Sequence, residues 1–252
     1  MIAIIVAGGR GERLELFTNR IPKPMIKVSG KPILLHVVEL LKKYGVSEYI
    51  FSLCYLPNVV KNYFGDGKKF GIKISYTFEK PNLPLGTAGA ISLARKLIND
   101  TFIVTYADIL RDLDIGNMIS FHKKNKSFAT LNVYKRESRD AKSKIVLDNK
   151  NRIIKFIERP KSDDLKEEYI WVNGSFYILE PQIFDWIPDN KKSDFGKDIF
   201  PKLLKSKKPL YAYPPKGYLV DIGNMEKLEY ARKTFSKVQF PEVPGKKLLH
   251  AK

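Results

Sequence analysis

The chain has 252 residues, of which 44% are hydrophobic, enough to bury a substantial α/β core, so intrinsic disorder is excluded for its bulk. Its longest uncharged runs, such as 49–60 with Pro57 and Asn58 inside, fall short of the roughly 20 apolar residues that span a bilayer, which excludes a membrane-spanning protein. Lys and Arg exceed Asp and Glu by 45 to 27, a net charge of +18, and that balance favours anionic partners: nucleic acid, acidic lipid or phosphorylated small molecules.

Ile2 to Val6 is a short apolar run rich in β-branched residues that stops at Gly8-Gly9, the pattern of a buried parallel strand entering a loop. Lys31-Pro32 then predicts a helix with Pro at its first position. Leu34, Val37, Val38 and Leu41 line one face of it, and Gly45 closes it. Tyr49 to Cys54 reads as a strand, Val59 to Phe64 as a short helix, Gly65-Asp66-Gly67 as a turn, and Ile72 to Phe78 as another strand. Thr87 to Ile98 predicts a helix, and Phe102 to Tyr106 a strand ending at Ala107-Asp108. This alternation implies a Rossmann-like α/β fold, a mostly parallel central sheet with helices on both faces.

After Asp108 the texture changes. Ala129 to Tyr134, Lys144 to Leu147, Ile153 to Ile157 and Tyr169 to Leu179 read as strands, the middle two joined by a turn at Asp148 to Asn151, so antiparallel additions to the sheet are expected. Asp198 to Lys205 and Met225 to Phe235 predict closing helices. The expected organisation is a single domain over 1–235, with one half of about 1–110 and a second of about 111–235, then a basic Pro-containing tail over 236–252. No signal-peptide pattern opens the chain, and the one cysteine, Cys54, cannot form an intrachain disulfide, so a cytoplasmic setting without membrane insertion is expected. Cys54 reads as a small buried hydrophobe, Trp171 and Trp186 as core residues. His36, His122 and His250 lack zinc-ligand spacing. The lysine clusters at 123–126 and 205–208 read as solvated surface.

The chemistry concentrates at Gly8-Gly9-Arg10-Gly11-Glu12-Arg13-Leu14. Glycines directly after a buried strand let backbone N–H groups close on an oxyanion. No Gly-Lys-Ser/Thr follows, so this is no P-loop, and Leu14 stands where a dinucleotide fingerprint needs Gly or Ala. Arg13 and the lysine of Pro22-Lys23-Pro24 add two cations near the same strand end, as a triphosphate would require.

Ala7 to Leu14, followed after seven residues by Pro22-Lys23-Pro24, resembles the opening of the sugar-1-phosphate nucleotidylyltransferases, or NDP-sugar pyrophosphorylases. The resemblance runs on through Tyr63 to Gly67, Pro84 to Ala90, Asp108, Glu158-Arg159-Pro160, Asn173, Asp194 to Pro201 and Asp221-Ile222-Gly223, and is nearest to the mannose-1-phosphate and heptose-1-phosphate guanylyltransferase branch. It implies a glycosyltransferase-A type nucleotidyltransferase fold and the reaction of a sugar 1-phosphate with an NTP to give NDP-sugar and pyrophosphate.

By the same resemblance, Ala7, Gly8, Gly9, Gly11, Arg13, Lys23, Glu79, Pro84, Gly86 and Thr87 bind the nucleotide, and Arg13, Lys23 and Asp108 serve catalysis. Glu158, Arg159 and Asn173 hold the sugar phosphate, and Asp108 and Asp221 ligate Mg²⁺. Glu79 is an acceptor-only carboxylate suited to the two adjacent donors of guanine, which points to GTP with mannose 1-phosphate or a heptose 1-phosphate. A UTP- or dTTP-dependent glucose-1-phosphate enzyme is the alternative. A basic nucleic-acid-binding protein is the reading from another class, but no stacking motif interleaves Phe and Tyr with Lys and Arg, so no nucleic-acid partner is expected. A homo-oligomer is compatible with all of this.

Three departures stand out. Glu158-Arg159-Pro160 replaces Glu-Lys-Pro, Ser143-Lys144-Ile145-Val146 replaces a Tyr-Gly-Val-Val strand, and Asn173-Gly174-Ser175 replaces Asn-Ala-Gly.

Overall fold

A computed structural model describes residues 1–9, 11, 14, 21–215 and 217–238. The tail expected beyond 238 lies outside the described residues, as do Arg13 and His250. No helix among the described residues is long and apolar enough to cross a membrane.

Strand β1 (Ile2–Val6) lies between β4 (Glu48–Leu53) and β6 (Phe102–Tyr106), parallel to both, and β5 (Lys73–Phe78) adds a fourth parallel strand outside β4. Its alternate residues feed opposite faces. Ile4 packs with Ile50, Val104 and the helix α3 (Gly86–Ser92). Ala3 and Ile5 pack with α1 (Ile33–Lys43) and α4 (Ile115–Lys124). Burial on both faces is why the segment is apolar throughout, and each fully buried Ile contributes about 1.5–3 kcal/mol of transfer free energy.

β7 (Ile109–Arg111) then leaves the sheet and pairs with β13 (Leu219–Asp221). β8 (Ala129–Glu137) runs antiparallel to the long β11 (Tyr169–Leu179), while β9 (Ser143–Leu147) and β10 (Ile153–Glu158) form the expected hairpin. β11 also pairs antiparallel with β6 through Phe176 to Leu179, and so joins the two halves in one sheet ordered β10-β9-β11-β6-β1-β4-β5, with β8 branching from β11 and β12 (Leu210–Tyr213) pairing parallel to β8. α6 (Met225–Thr234) packs over β7 and β13 through Leu228 and Ala231.

Three helices depart from expectation. Pro32 caps α1 and does not open it, because Lys31–Pro32 (β3) pairs with Lys27–Val28 (β2). The helix expected over 87–98 stops at Ser92 and resumes as a 3₁₀ turn at Arg95–Leu97, where the Arg95 guanidinium donates to the carbonyls of Phe184 and Ile187. The helix expected from Asp198 begins as a π turn at Phe195–Ile199, capped by Asp194, before α5 (Phe200–Lys205). α2 (Pro57–Phe64) forms as expected. Trp171 and Trp186 pack partly buried against the core, and His122 is a buried structural residue between Thr130 and Glu180.

Candidate functional site

The C-terminal ends of β1, β4 and β6 open into a cleft of about 290 Å³. Two bonds hold its floor: Ala7 N–H donates to the Ser52 carbonyl at 2.8 Å, and Ala107 N–H to the Val6 carbonyl at 3.0 Å. A Cβ at Gly8 would be crowded, 3.0 Å from both the Cys54 Cβ and Glu79 Oε1, whereas a Cβ at Gly9 would meet nothing within 4 Å among the described residues. A side-chain-free backbone therefore meets whatever enters. Ala7, Gly8, Gly9, Lys23, Glu79, Pro84, Gly86, Thr87 and Asp108 all line the cleft.

Lys23 sits on a 3₁₀ turn that follows Pro22, with Pro24 inside the turn, and is only 8% exposed. Its Nζ lies 2.5 Å from Asp108 Oδ2. Asp108 in turn adjoins Asp221 through the β7–β13 ladder: Asp221 pairs with Ile109, and Ile222 N–H donates to the Asp108 carbonyl at 3.0 Å. Lys142 Nζ caps Asp221 Oδ2 at 2.6 Å. Burial opposes ionisation of Asp221, but the hydrogen bond and charge of Lys142, with the charges of Lys23 and Lys227, outweigh it and hold the carboxyl below its ordinary range. Among the described residues no three His, Cys, Asp or Glu side chains gather as a metal cluster.

Across the cleft, Glu79 Oε2 accepts from Leu85 N–H at 2.8 Å. Burial raises its pKa, with that hydrogen bond opposing. Cys54, expected in the core, is a correction: it falls one residue past β4, half-buried, and lines the cleft beside Glu79. Thr87 Oγ1 donates to Asp194 Oδ2 at 2.8 Å and accepts from Phe195 N–H. Asp194, given no role from sequence, also lines the cleft, its other oxygen capping the π turn through Gly196 N–H.

Glu158, Arg159 and Asn173, expected from the resemblance to hold the sugar phosphate, stand outside this lining. Glu158 ends β10 with its carboxylate pressed on Gly196, and burial followed by the charge of Asp194 raises its pKa against the pull of Arg159, Lys197 and Lys142. Arg159 is exposed, in a left-handed conformation (φ 52°), and its N–H donates to the Lys142 carbonyl at 2.9 Å. Lys142 thus touches Asp221 by its side chain and Arg159 by its backbone, a bridging position that no sequence pattern signalled. Asn173 donates from Nδ2 to the Tyr177 hydroxyl at 2.7 Å and accepts at Oδ1 from Ser175 N–H at 3.0 Å. Tyr177 packs edge-on against the cleft residue Tyr106. Lys144, where a glycine was expected, reaches the Asp164 carbonyl and Glu167, both at 2.6 Å. Gly11 and Asp221 are also outside the lining.

The catalytic subunit beta of mannose-1-phosphate guanylyltransferase from Dictyostelium discoideum is 36% identical over 229 residues, covering 88% of this chain and 61% of that protein. UTP–glucose-1-phosphate uridylyltransferase from Synechocystis sp. is 33% identical over 237 residues, covering 89% and 61%. This chain therefore spans 61% of the length of these curated relatives. The crystal structure of HddC from Yersinia pseudotuberculosis complexed with GMP-PN superposes with a TM-score of 0.77 at 29% identity, covering 93% of this chain and 99% of that one. The nucleotidyl transferase family model matches residues 2–237, a span that takes in the glycine turn, Lys23 and both aspartates, and the chain belongs to that family.

Proposed function

We propose that the chain transfers a nucleotidyl group from an NTP to a sugar 1-phosphate, giving an NDP-sugar and pyrophosphate. The observation that carries this reading is the Lys23–Asp108 pair at the mouth of a glycine-walled cleft, with Asp221 across the ladder. An oxygen of the sugar phosphate, already anionic at neutral pH, attacks the α-phosphorus in line. The bond from that phosphorus to the pyrophosphate oxygen breaks, and pyrophosphate departs with the negative charge. No general base is required, so positioning and charge stabilisation carry the rate.

In this reading the backbone at Gly8 and Gly9 faces the phosphates, and Lys23 neutralises charge on the α-phosphate. Arg13 is assigned to the departing pyrophosphate on its sequence position. Glu158 and Asn173 face the sugar, Arg159 and Lys142 its phosphate. Asp108 and Asp221 fit Mg²⁺: two hard carboxylates, each balanced here by a lysine, with substrate phosphates and water able to supply the remaining oxygens. The ion would supply charge neutralisation on the phosphates.

For the base we favour GTP, with mannose 1-phosphate or a heptose 1-phosphate as acceptor. Glu79 turns a carboxylate into the cleft with Oε1 free of the Leu85 bond, and the Dictyostelium relative and the GMP-PN complex of HddC carry guanine names. The Synechocystis relative supports UTP with glucose 1-phosphate as the second reading. A pyrophosphate-release screen crossing GTP, UTP and dTTP with mannose, heptose and glucose 1-phosphates tests both. Equal turnover of the three nucleotides removes the guanine assignment, and no release from any pair removes the transfer itself.

A further inference from the structure

Arg111 is a buried guanidinium that forms no ion pair among the described residues, with the charge of Asp108 acting on it from beyond hydrogen-bond reach. It ends β7, three residues past Asp108, and is 4% exposed. Nη1 donates to the Gly174 carbonyl at 2.9 Å and to Asn132 Oδ1 at 3.2 Å, and Nη2 to the Ser175 carbonyl at 3.3 Å. Its Cζ stands 5.3 Å from the centre of the Phe176 ring. A buried cation whose hydrogen bonds go to neutral acceptors is costly to keep in a fold, which asks what its three hydrogen bonds accomplish.

They all converge on one irregularity. β11 breaks register with β8 between Asn173 and Tyr177, and inside that break Ser175 adopts φ 55°, a left-handed conformation unfavourable to a residue with a Cβ. Gly174 beside it has no room for a side chain: a Cβ would collide with Asn132 Oδ1 and stand 2.8 Å from the Asn132 carbonyl and the Tyr134 ring. Asn132, fully buried on β8, thus fills the space over Gly174 and at the same time accepts from Arg111. Three strands supply parts that fit only one another, and the Gly-Ser pair is the place where this chain departs from the Asn-Ala-Gly pattern.

We infer that Arg111 is a positioning residue that clamps the β11 bulge and thereby fixes Asn173, whose Oδ1 accepts from Ser175 N–H, relative to Asp108, which directly precedes the strand Arg111 ends. One side chain then sets the spacing between the sugar side and the nucleotide side of the site. The inference rests on the sugar-side role of Asn173 proposed above.

The test uses Arg111→Met, Arg111→Lys, Ser175→Gly and the Met/Gly double variant of the full chain. In urea unfolding, Ser175→Gly relieves the left-handed strain that Arg111 holds in place, so it raises the midpoint in the wild-type background and raises it less, or not at all, in the Arg111→Met background. Strictly additive midpoints overturn the clamp. In kinetics, Arg111→Met raises KM for the sugar 1-phosphate about tenfold or more while KM for the NTP stays within about twofold, and Arg111→Lys, which reaches one carbonyl instead of two, recovers only part of the loss. Equal rises in both constants, or none in either, overturn it. A wild-type chain that turns over no sugar phosphate defeats the functional reading alone, and the urea cycle then still decides the clamp.

Discussion

Asp108 and Asp221 are neighbours through the β7–β13 ladder, and each carboxylate is held by a different lysine, Lys23 at 2.5 Å and Lys142 at 2.6 Å. Each acid is therefore paired with its own lysine in the absence of substrate. Replacing either by Asn keeps the shape and removes the charge. Asp108→Asn and Asp221→Asn should each lower turnover at least about 100-fold, the scale of losing one electrostatic element of a transition state, with the fold retained. Near-wild-type turnover in both variants defeats the assignment of these acids to a cation.

The Lys142–Asp221 pair also predicts a pH effect. The Asp221 carboxyl lies below its ordinary value, so the ionised form stabilises the fold. That contribution is complete above the unfolded-state pKa and disappears as pH falls through the lower folded-state value. Lys142→Met removes the hydrogen bond and the nearest cation, leaving burial to dominate, and burial moves the carboxyl upward. The variant should therefore be less stable than wild type at neutral pH and lose less stability on acidification, so that the two curves converge as pH falls through the wild-type folded value. Identical acid limbs for the two proteins would show that the ion pair contributes nothing to folding.

Glu79 predicts base choice and its pH dependence together. Burial raises its pKa, so as pH falls this group protonates earlier than an exposed glutamate and stops being a pure acceptor. KM for GTP should rise on the acid side. Glu79→Gln should lower kcat/KM for GTP by about 10- to 100-fold, the scale set by an unmatched buried polar pair, and narrow the gap to UTP. Unchanged GTP preference in the variant assigns base selection to other residues.

The parts of the site that were legible in the sequence are those built locally. An apolar run that meets Gly8-Gly9, and another that meets Asp108, announce strand ends, and Pro22 and Pro24 announce a stiff turn under Lys23. Asp194 and Lys142 were illegible in their roles because their partners are remote in the chain: Thr87 bonds to an acid 107 positions away and Asp221 to a lysine 79 positions away. The omission of α4 has another cause. Ile115, Met118 and His122 do share one buried face, and Asp114 caps the helix by accepting from Asn117 N–H, but the lysines at its C-terminal end gave the segment the look of plain surface. Strands as short as β12 and β13 carry too few residues for alternation to register.

Cys54 offers a direct probe of occupancy. It is the one cysteine in the chain, and it lines the cleft beside Gly8 and Glu79. Burial, and then the charge of Glu79, push its thiol pKa above the ordinary 9.0, so little thiolate exists at neutral pH and alkylation should be slow there and keep climbing through pH 9. Glu79→Gln removes the second cause and should speed labelling at pH 8. Saturating nucleotide should slow labelling by about tenfold or more, because a base or ribose in the cleft stands between reagent and sulfur. Mass spectrometry of the intact chain counts the adduct directly. Full-speed labelling under saturating GTP, UTP and dTTP would place the nucleotide away from this cleft, and the proposed transfer would lose its site.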